Sequence, residues 1–123
     1  MLNLNSVMIG SLNPKELGEF YEKVLEKKPD MQEGEWYGFS AGDCFLNIGH
    51  HSKVKAKAVN PERIMFNFET PDVESEFERI KGLGATVVAK PYQMEGDDSV
   101  WIATLADPDG NYFQLMSPWD SSE

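Results

Sequence analysis

The chain is short of the residues that most often carry chemistry. Among 123 residues there is one cysteine, Cys44, and there are two histidines, His50 and His51. A single cysteine excludes an internal disulfide, and no zinc-type Cys/His spacing is present. Cys44 lies in the apolar run Cys44-Phe45-Leu46, the setting of a buried structural thiol rather than of a nucleophile. There is no Ser/His/Asp arrangement and no phosphate-cradling glycine loop. A basic-then-apolar leader and a membrane-length apolar run are both lacking, so a soluble, cytoplasmic protein without a membrane partner is expected.

Positive charge is also scarce. Eleven Lys and Arg face 21 Asp and Glu, for a net charge of -10. From Pro91 to Glu123 there is no Lys or Arg at all, while Glu95, Asp97, Asp98, Asp107, Asp109, Asp120 and Glu123 are acidic. This balance argues against a nucleic-acid partner, whose backbone rewards clustered cations. An acidic field of this kind favours a cationic ligand over an anionic one. The two histidines are adjacent, and neighbours on a strand point to opposite faces, so they do not suit one shared ion. They fall at the end of a strand, where exposure is the default and where one of them could serve as an acid or base.

What is present is a repeated pattern in a chain long enough for one compact domain. Residues 3–11 alternate loosely as a strand. Asn13-Pro14 supplies an N-cap and a proline at the first helical position, with Glu16 placed for a capping box. Leu17, Phe20, Tyr21, Val24 and Leu25 then form an apolar helical stripe that must stop near Lys28-Pro29. In the second half, residues 63–69 read as a strand with Ile64, Phe66 and Phe68 on one face. Thr70-Pro71 repeats the cap-and-proline pairing, and Val73, Phe77, Ile80 and Leu83 continue as a stripe that Gly82 and Gly84 can end. A shift of 57 residues brings Pro14 onto Pro71 and Phe20 onto Phe77. Further strands are expected at 35–40, 43–49, 86–89, 99–106 and 111–117, with turns at 95–98 and 107–110. The fold class is therefore α+β, with two βαβ-type modules over about 1–52 and 62–118 joined by a polar linker over about 53–61.

Three segments carry a family resemblance: "NPKELGEFYEKVLEKKP", "DVESEFERIKGLGATV" and, most specifically, "DPDGNYFQL". With the surrounding layout they resemble the vicinal oxygen chelate superfamily, which includes glyoxalase I, extradiol dioxygenases and the bleomycin- and fosfomycin-resistance proteins. The resemblance implies two βαβββ modules whose curved sheets enclose a ligand cavity, commonly in a homodimer. It also implies metal-ligand positions on the first strand of each module and on the last strand. On this chain those positions fall at Ser6, Met65 and Gln114, with a further one around Asn47 to Gly49. A hydroxyl, a thioether and a neutral amide are a poor donor set for a divalent ion, so neither a metal nor another cofactor is expected. The turn residues Asp107, Pro108 and Gly110 read as structural, suited to fixing the last strand's start.

Strand parity then selects the candidate ligand-binding residues. If Val7, Ile9, Phe66 and Phe68 face the helices, Ser6, Met8, Met65, Asn67 and Glu69 face the other way. By the same alternation Tyr112, Gln114 and Met116 line that face, joined by Phe45 and Asn47 and by Trp101 or its neighbour Ile102. Trp36, Tyr37, Tyr92 and Trp119 are expected in or near loops as a rim, with core or dimer-interface packing as the alternative for each aromatic. Such a surface suits an apolar or cationic aromatic small molecule held by a few polar contacts. The favoured expectation is a metal-independent small-molecule binding or sequestering protein. The alternatives are a glyoxalase-like lyase, isomerase or dioxygenase, and an interaction module with a vestigial cavity.

Overall fold

The computed structural model describes residues 1–118; Trp119, expected at the rim, lies outside the described residues. The chain divides into two compact units between Lys57 and Ala58. In the first, β1 (Ser6–Ser11), α1 (Pro14–Leu25), β2 (Met31–Glu33), β3 (Trp36–Ala41) and β4 (Cys44–His50) follow in order. In the second, a 3-10 turn (Pro61–Arg63) leads into β5 (Phe66–Glu69), α2 (Val73–Gly82), β6 (Thr86–Met94), β7 (Asp97–Ala106) and β8 (Tyr112–Met116). Each unit is a βαβββ module with a four-stranded mixed sheet, ordered β1-β4-β3-β2 in one and β5-β8-β7-β6 in the other. In both sheets the first strand lies parallel to the last, and the remaining ladders are antiparallel.

Helix α1 begins as its sequence dictates. The Asn13 side chain accepts from the Glu16 amide at 3.3 Å, and Pro14, which has no amide hydrogen to leave unpaired, takes the first helical place. It ends at Leu25, with Glu26 in the left-handed conformation at φ 56°. The buried face of Leu17, Gly18, Phe20, Tyr21 and Val24 packs on β1, β3 and β4. Gly18 is a packing requirement: a Cβ there would stand 2.8 Å from the Tyr37 ring, so the helix can close on β3 only without a side chain. Tyr37 is thus a core residue at 7% exposure, not part of a rim. A staple ties the segment after α1 to β3: the Asp30 carboxylate accepts from the Ser40 amide at 2.6 Å and pairs with Lys27 at 2.7 Å, while Lys27 also donates to the Ser40 carbonyl at 2.9 Å.

The second module departs from its expected start. Ile64 is 75% exposed and precedes β5 rather than lying in it, because the chain at Pro61–Arg63 turns as a 3-10 helix. The helix cap is Asp72, whose carboxylate accepts from the Ser75 amide at 3.0 Å. Thr70 instead accepts from the Asp72 amide at 3.2 Å, just as Ser11 accepts from Asn13 at 3.0 Å in the first module. Equivalent positions are therefore 59 apart (11 to 70, 13 to 72), not 57, and the match of Pro14 with Pro71 was fortuitous. A 59-residue shift places Pro14, Gly18 and Tyr21 on Val73, Phe77 and Ile80, all of them buried. Phe20 matches the partly exposed Arg79.

Two strand boundaries also differ. β2 was not anticipated, since its three residues are all exposed and carry no alternation. β6 runs on through Lys90 and Pro91 to Met94, accommodating the proline at a register shift between Ala89 and Tyr92. Among the described residues, no helix is long and apolar enough to cross a membrane.

Candidate functional site

Each sheet has a face turned away from its helix, and register partners share a face. In module 1, Ser6, Met8 and Gly10 of β1 pair with Phe45, Asn47 and Gly49 of β4. Gly38 of β3 pairs with Asn47 and with Met31 of β2, and Glu33 of β2 pairs with Trp36. These residues together form the open face. Its glycines carry rings. A Cβ on Gly38 would lie 2.8 Å from Phe45 Cζ, and a Cβ on Gly49 would fall against the benzo half of the Trp36 indole. The face is thus an aromatic and methionine surface laid on glycine, with Met8 46% and Trp36 39% exposed.

In module 2, Asn67 pairs with Gln114, Glu69 with Met116, Thr104 with Gln114, Ile102 with Met116 and Ala106 with Tyr112. Gln114 is half-buried and donates from Nε2 to Thr104 Oγ1 at 3.2 Å. That bond fixes the amide orientation and leaves its carbonyl oxygen directed elsewhere as an acceptor. Asn67 and Glu69 are exposed, Tyr112 and Met116 half-buried. Met65 is half-buried just before β5 begins. This face is polar where the other is aromatic. Topologically equivalent pairs make the contrast: Met8 with Asn47 in one module, Asn67 with Gln114 in the other.

Trp101 does not belong to this group. The ladder pairs Ala103 with Leu115 and Leu105 with Phe113, which are core residues, and Trp101 has their parity. Its amide and carbonyl both bond Ser117, the next step of the same register. Ile102 takes the place expected of it. Trp36, expected in or near a loop, is the first residue of β3, beside the β2–β3 turn and on the open face of module 1, and Thr104 was missed altogether. The available signal for Trp36 was Gly49, a glycine inside a strand, where glycine marks a close approach.

The turn before β8 is built around one carboxylate. Asp107, 4% exposed, accepts at Oδ1 from the amides of Asp109 and Asn111, both at 2.9 Å, and at Oδ2 from the Asn111 side chain at 3.0 Å. Gly110 at φ 83° supplies the left-handed corner. Asp107 therefore sets where β8 starts, and hence the face Gln114 takes. Of the two histidines, His51 lies against an open face, at Gly10 of module 1. His50 is exposed at the end of β4, and His51 accepts from the Lys53 amide at 3.1 Å within a turn that packs on Gly10.

The family-implied ligand positions can be tested by their chemistry. Ser6, Asn47, Met65 and Gln114 offer a hydroxyl, two amides and a thioether, with no anionic or imidazole donor to offset a divalent ion's lost hydration. The set does not fit a catalytic divalent metal. Among the described residues, no group of three or more His, Cys, Asp or Glu side chains is placed to hold one.

Two βαβββ modules, each a mixed four-stranded sheet with one helix, define the class of α+β protein to which the chain belongs. A glyoxalase-like domain profile matches residues 6–116, and the chain belongs to that family, within the vicinal oxygen chelate superfamily. Solved structures share the fold at low identity. A glyoxalase-related enzyme from Fulvimarina pelagi is 14% identical with a TM-score of 0.76, over 96% of this chain and 89% of that one. A glyoxalase/bleomycin resistance protein/dioxygenase family enzyme from Burkholderia phytofirmans PsJN is 20% identical with a TM-score of 0.72, over 94% and 98%. Lactoylglutathione lyase from Agrobacterium tumefaciens is 14% identical with a TM-score of 0.71, over 94% and 92%. No curated protein sequence matches the chain significantly.

Proposed function

We propose that this chain is a metal-independent small-molecule binding protein, acting in the cytoplasm as a homodimer that sequesters or senses an amphipathic aromatic compound. The observation that carries the reading is Gln114. A neutral amide, oriented by Thr104, stands at the last-strand position where the family resemblance implies a metal ligand. An amide with a fixed donor and an available acceptor recognises a ligand's polar group, but it gives a divalent ion no charge. Within module 1, taken by itself, the exposed Met8 and Trp36 side chains offer apolar contact of the kind that fills most of a small-molecule site.

The enzyme reading draws on structural relatives named as a lyase and as glyoxalase-related enzymes. The two readings separate on one preparation of the full chain, divided between elemental analysis and a thermal-shift screen of amphipathic aromatic compounds. The binding reading expects no stoichiometric transition metal and stabilisation that grows as the logarithm of ligand concentration, about 2.7 kcal/mol at a hundredfold excess over Kd. One tightly held Ni, Zn, Fe or Mn per chain, with turnover of a glyoxalase-type substrate that chelation abolishes, would overturn it in favour of the enzyme.

A further inference from the structure

We infer that the open face of module 1 carries a stacking platform for planar organic cations, formed by the Trp36 indole with the Glu33 carboxylate beside it. The inference deepens the small-molecule reading and rests on it. Trp36 closes the β2–β3 hairpin opposite Glu33, and register partners share a face with their Cβ atoms about 4.5–5.5 Å apart. Gly49 removes the side chain that would otherwise lie under the indole, so the ring is set against the β4 backbone while Trp36 keeps 39% exposure. Met31, 42% exposed, brings its Cε to 3.2 Å from the Cβ position of Gly38 on the same face, adding a polarisable contact that can adapt to a flat ring.

Charge selects among flat ligands. None of the four strands of this sheet contains Lys or Arg. Lys27, which reaches the β3 backbone at Ser40, is neutralised by Asp30 at 2.7 Å. Among the described residues Glu33 has no ion-pair partner, and the whole chain carries -10. An indole face attracts a cation through its quadrupole, and a neighbouring carboxylate attracts the same charge. A flat anion meets repulsion from Glu33, and a flat neutral ring gains stacking alone. The chemistry recognised is thus a delocalised cation spread over an aromatic ring system.

The test uses calorimetric titration of the full chain with three probes of one shape: 10-methylacridinium as cation, acridine held neutral at mildly alkaline pH, and acridine-9-carboxylate as anion. The cation is expected to bind about two- to fivefold tighter than neutral acridine, the range an exposed cation–π contact gives. Added salt should narrow that gap. Glu33→Gln, at an exposed position, should reduce the gap by weakening the cation more than neutral acridine, and Trp36→Leu should weaken both. Equal affinities for cation and neutral probe, or a gap that Glu33→Gln leaves intact, would overturn the platform. If both probes bind, lose affinity in Gln114→Leu and keep it in Trp36→Leu, the platform falls while the small-molecule reading stands. If no probe binds and no compound of the thermal screen shifts the melting temperature, both fall.

Discussion

Gly49→Ala is the substitution whose consequence the structure fixes most tightly. A Cβ at that position falls against Trp36 Cε3, Cζ3 and Cδ2, the last and farthest at 2.5 Å, where ordinary contact starts at 3.4 Å, so the indole must retreat by more than about 0.9 Å (3.4 less 2.5) or leave its rotamer. Overpacking of this kind costs about 1–3 kcal/mol. Replacing glycine inside a strand returns about 0.5–1 kcal/mol, because the unfolded chain has less freedom to lose. The net expectation is a destabilisation of about 1 kcal/mol. On its own that value is unremarkable, and many mutations would give it. The double-mutant cycle makes it specific. With Trp36 cut back to alanine the clash is gone, so Gly49→Ala should then stabilise by about 0.5–1 kcal/mol, a coupling of about 1–3 kcal/mol between the two sites. Urea unfolding followed by far-UV circular dichroism measures all four proteins, with an unchanged m-value certifying that stability alone has moved. Effects that add to within about 0.5 kcal/mol would refute the packing of Trp36 on β4, and with it the platform.

Other substitutions test the elements that position the faces. Asp107→Ala removes the acceptor of two backbone amides and of the Asn111 side chain, and should cost about 2–3 kcal/mol in thermal or urea unfolding. Asp72→Ala should cost about 1 kcal/mol and Pro71→Ala less than about 0.5, because Asp72 and not Thr70-Pro71 caps α2; the reverse order would restore the rejected cap. Gly82→Ala, in the last turn of α2 with nothing within 4 Å of its new Cβ, should stabilise by about 0.5–1 kcal/mol. The Asp30 carboxyl is held below its ordinary 3.8, first by its hydrogen bond to Lys27 and then by the Ser40 amide. A depressed folded pKa gives stability that is present above the unfolded value and is lost as pH falls through the folded one. The stability difference between the wild type and Asp30→Asn should therefore be constant near neutrality and shrink on acidification below about 3.8, as acid titration of the two proteins would show.

Much of the scaffold was legible because local chemistry and long-range packing agree there. Asn13-Pro14 and the Leu17, Phe20, Tyr21, Val24 stripe state where α1 begins and which side it buries, and tertiary contact adds to what they state. The second module was harder because proline is so strong a mark of a helix start. Pro71 drew the cap to Thr70, yet a carboxylate one residue further on reaches Ser75, and Thr70 serves that cap instead. β2 left no mark because three exposed residues have no inward side to alternate with. Trp101 and Ile102 could not be separated in sequence, since alternation gives the period of a strand but not its phase. The phase of β7 is set by its pairing with β8, which Asp107 anchors from outside both strands.

The comparison of the two modules explains why the candidate site is the least legible part. Slipping a strand by one residue moves every side chain to the other face, so the helix-facing positions of a repeated module are held together by packing. Ile9 and Phe68, or Leu46 and Phe113, can differ in size but must remain apolar. The open face carries no such constraint, and there the modules have diverged: Met8 against Asn67, Gly10 against Glu69, Phe45 against Tyr112, Gly49 against Met116. Asn47 and Gln114 remain alike, each a neutral amide on the last strand at the position paired with the third residue of β1 or the second of β5. On the proposed reading each amide is the polar contact that its own module offers a ligand, and in module 1 the indole of Trp36 on Gly49 is what sets the aromatic face apart. Specificity at module 1 should therefore follow that face: Asn47→Ala should weaken every compound bound there by similar factors, and Trp36→Leu should reorder their ranking. A ranking changed by Asn47→Ala and left intact by Trp36→Leu would reverse the assignment.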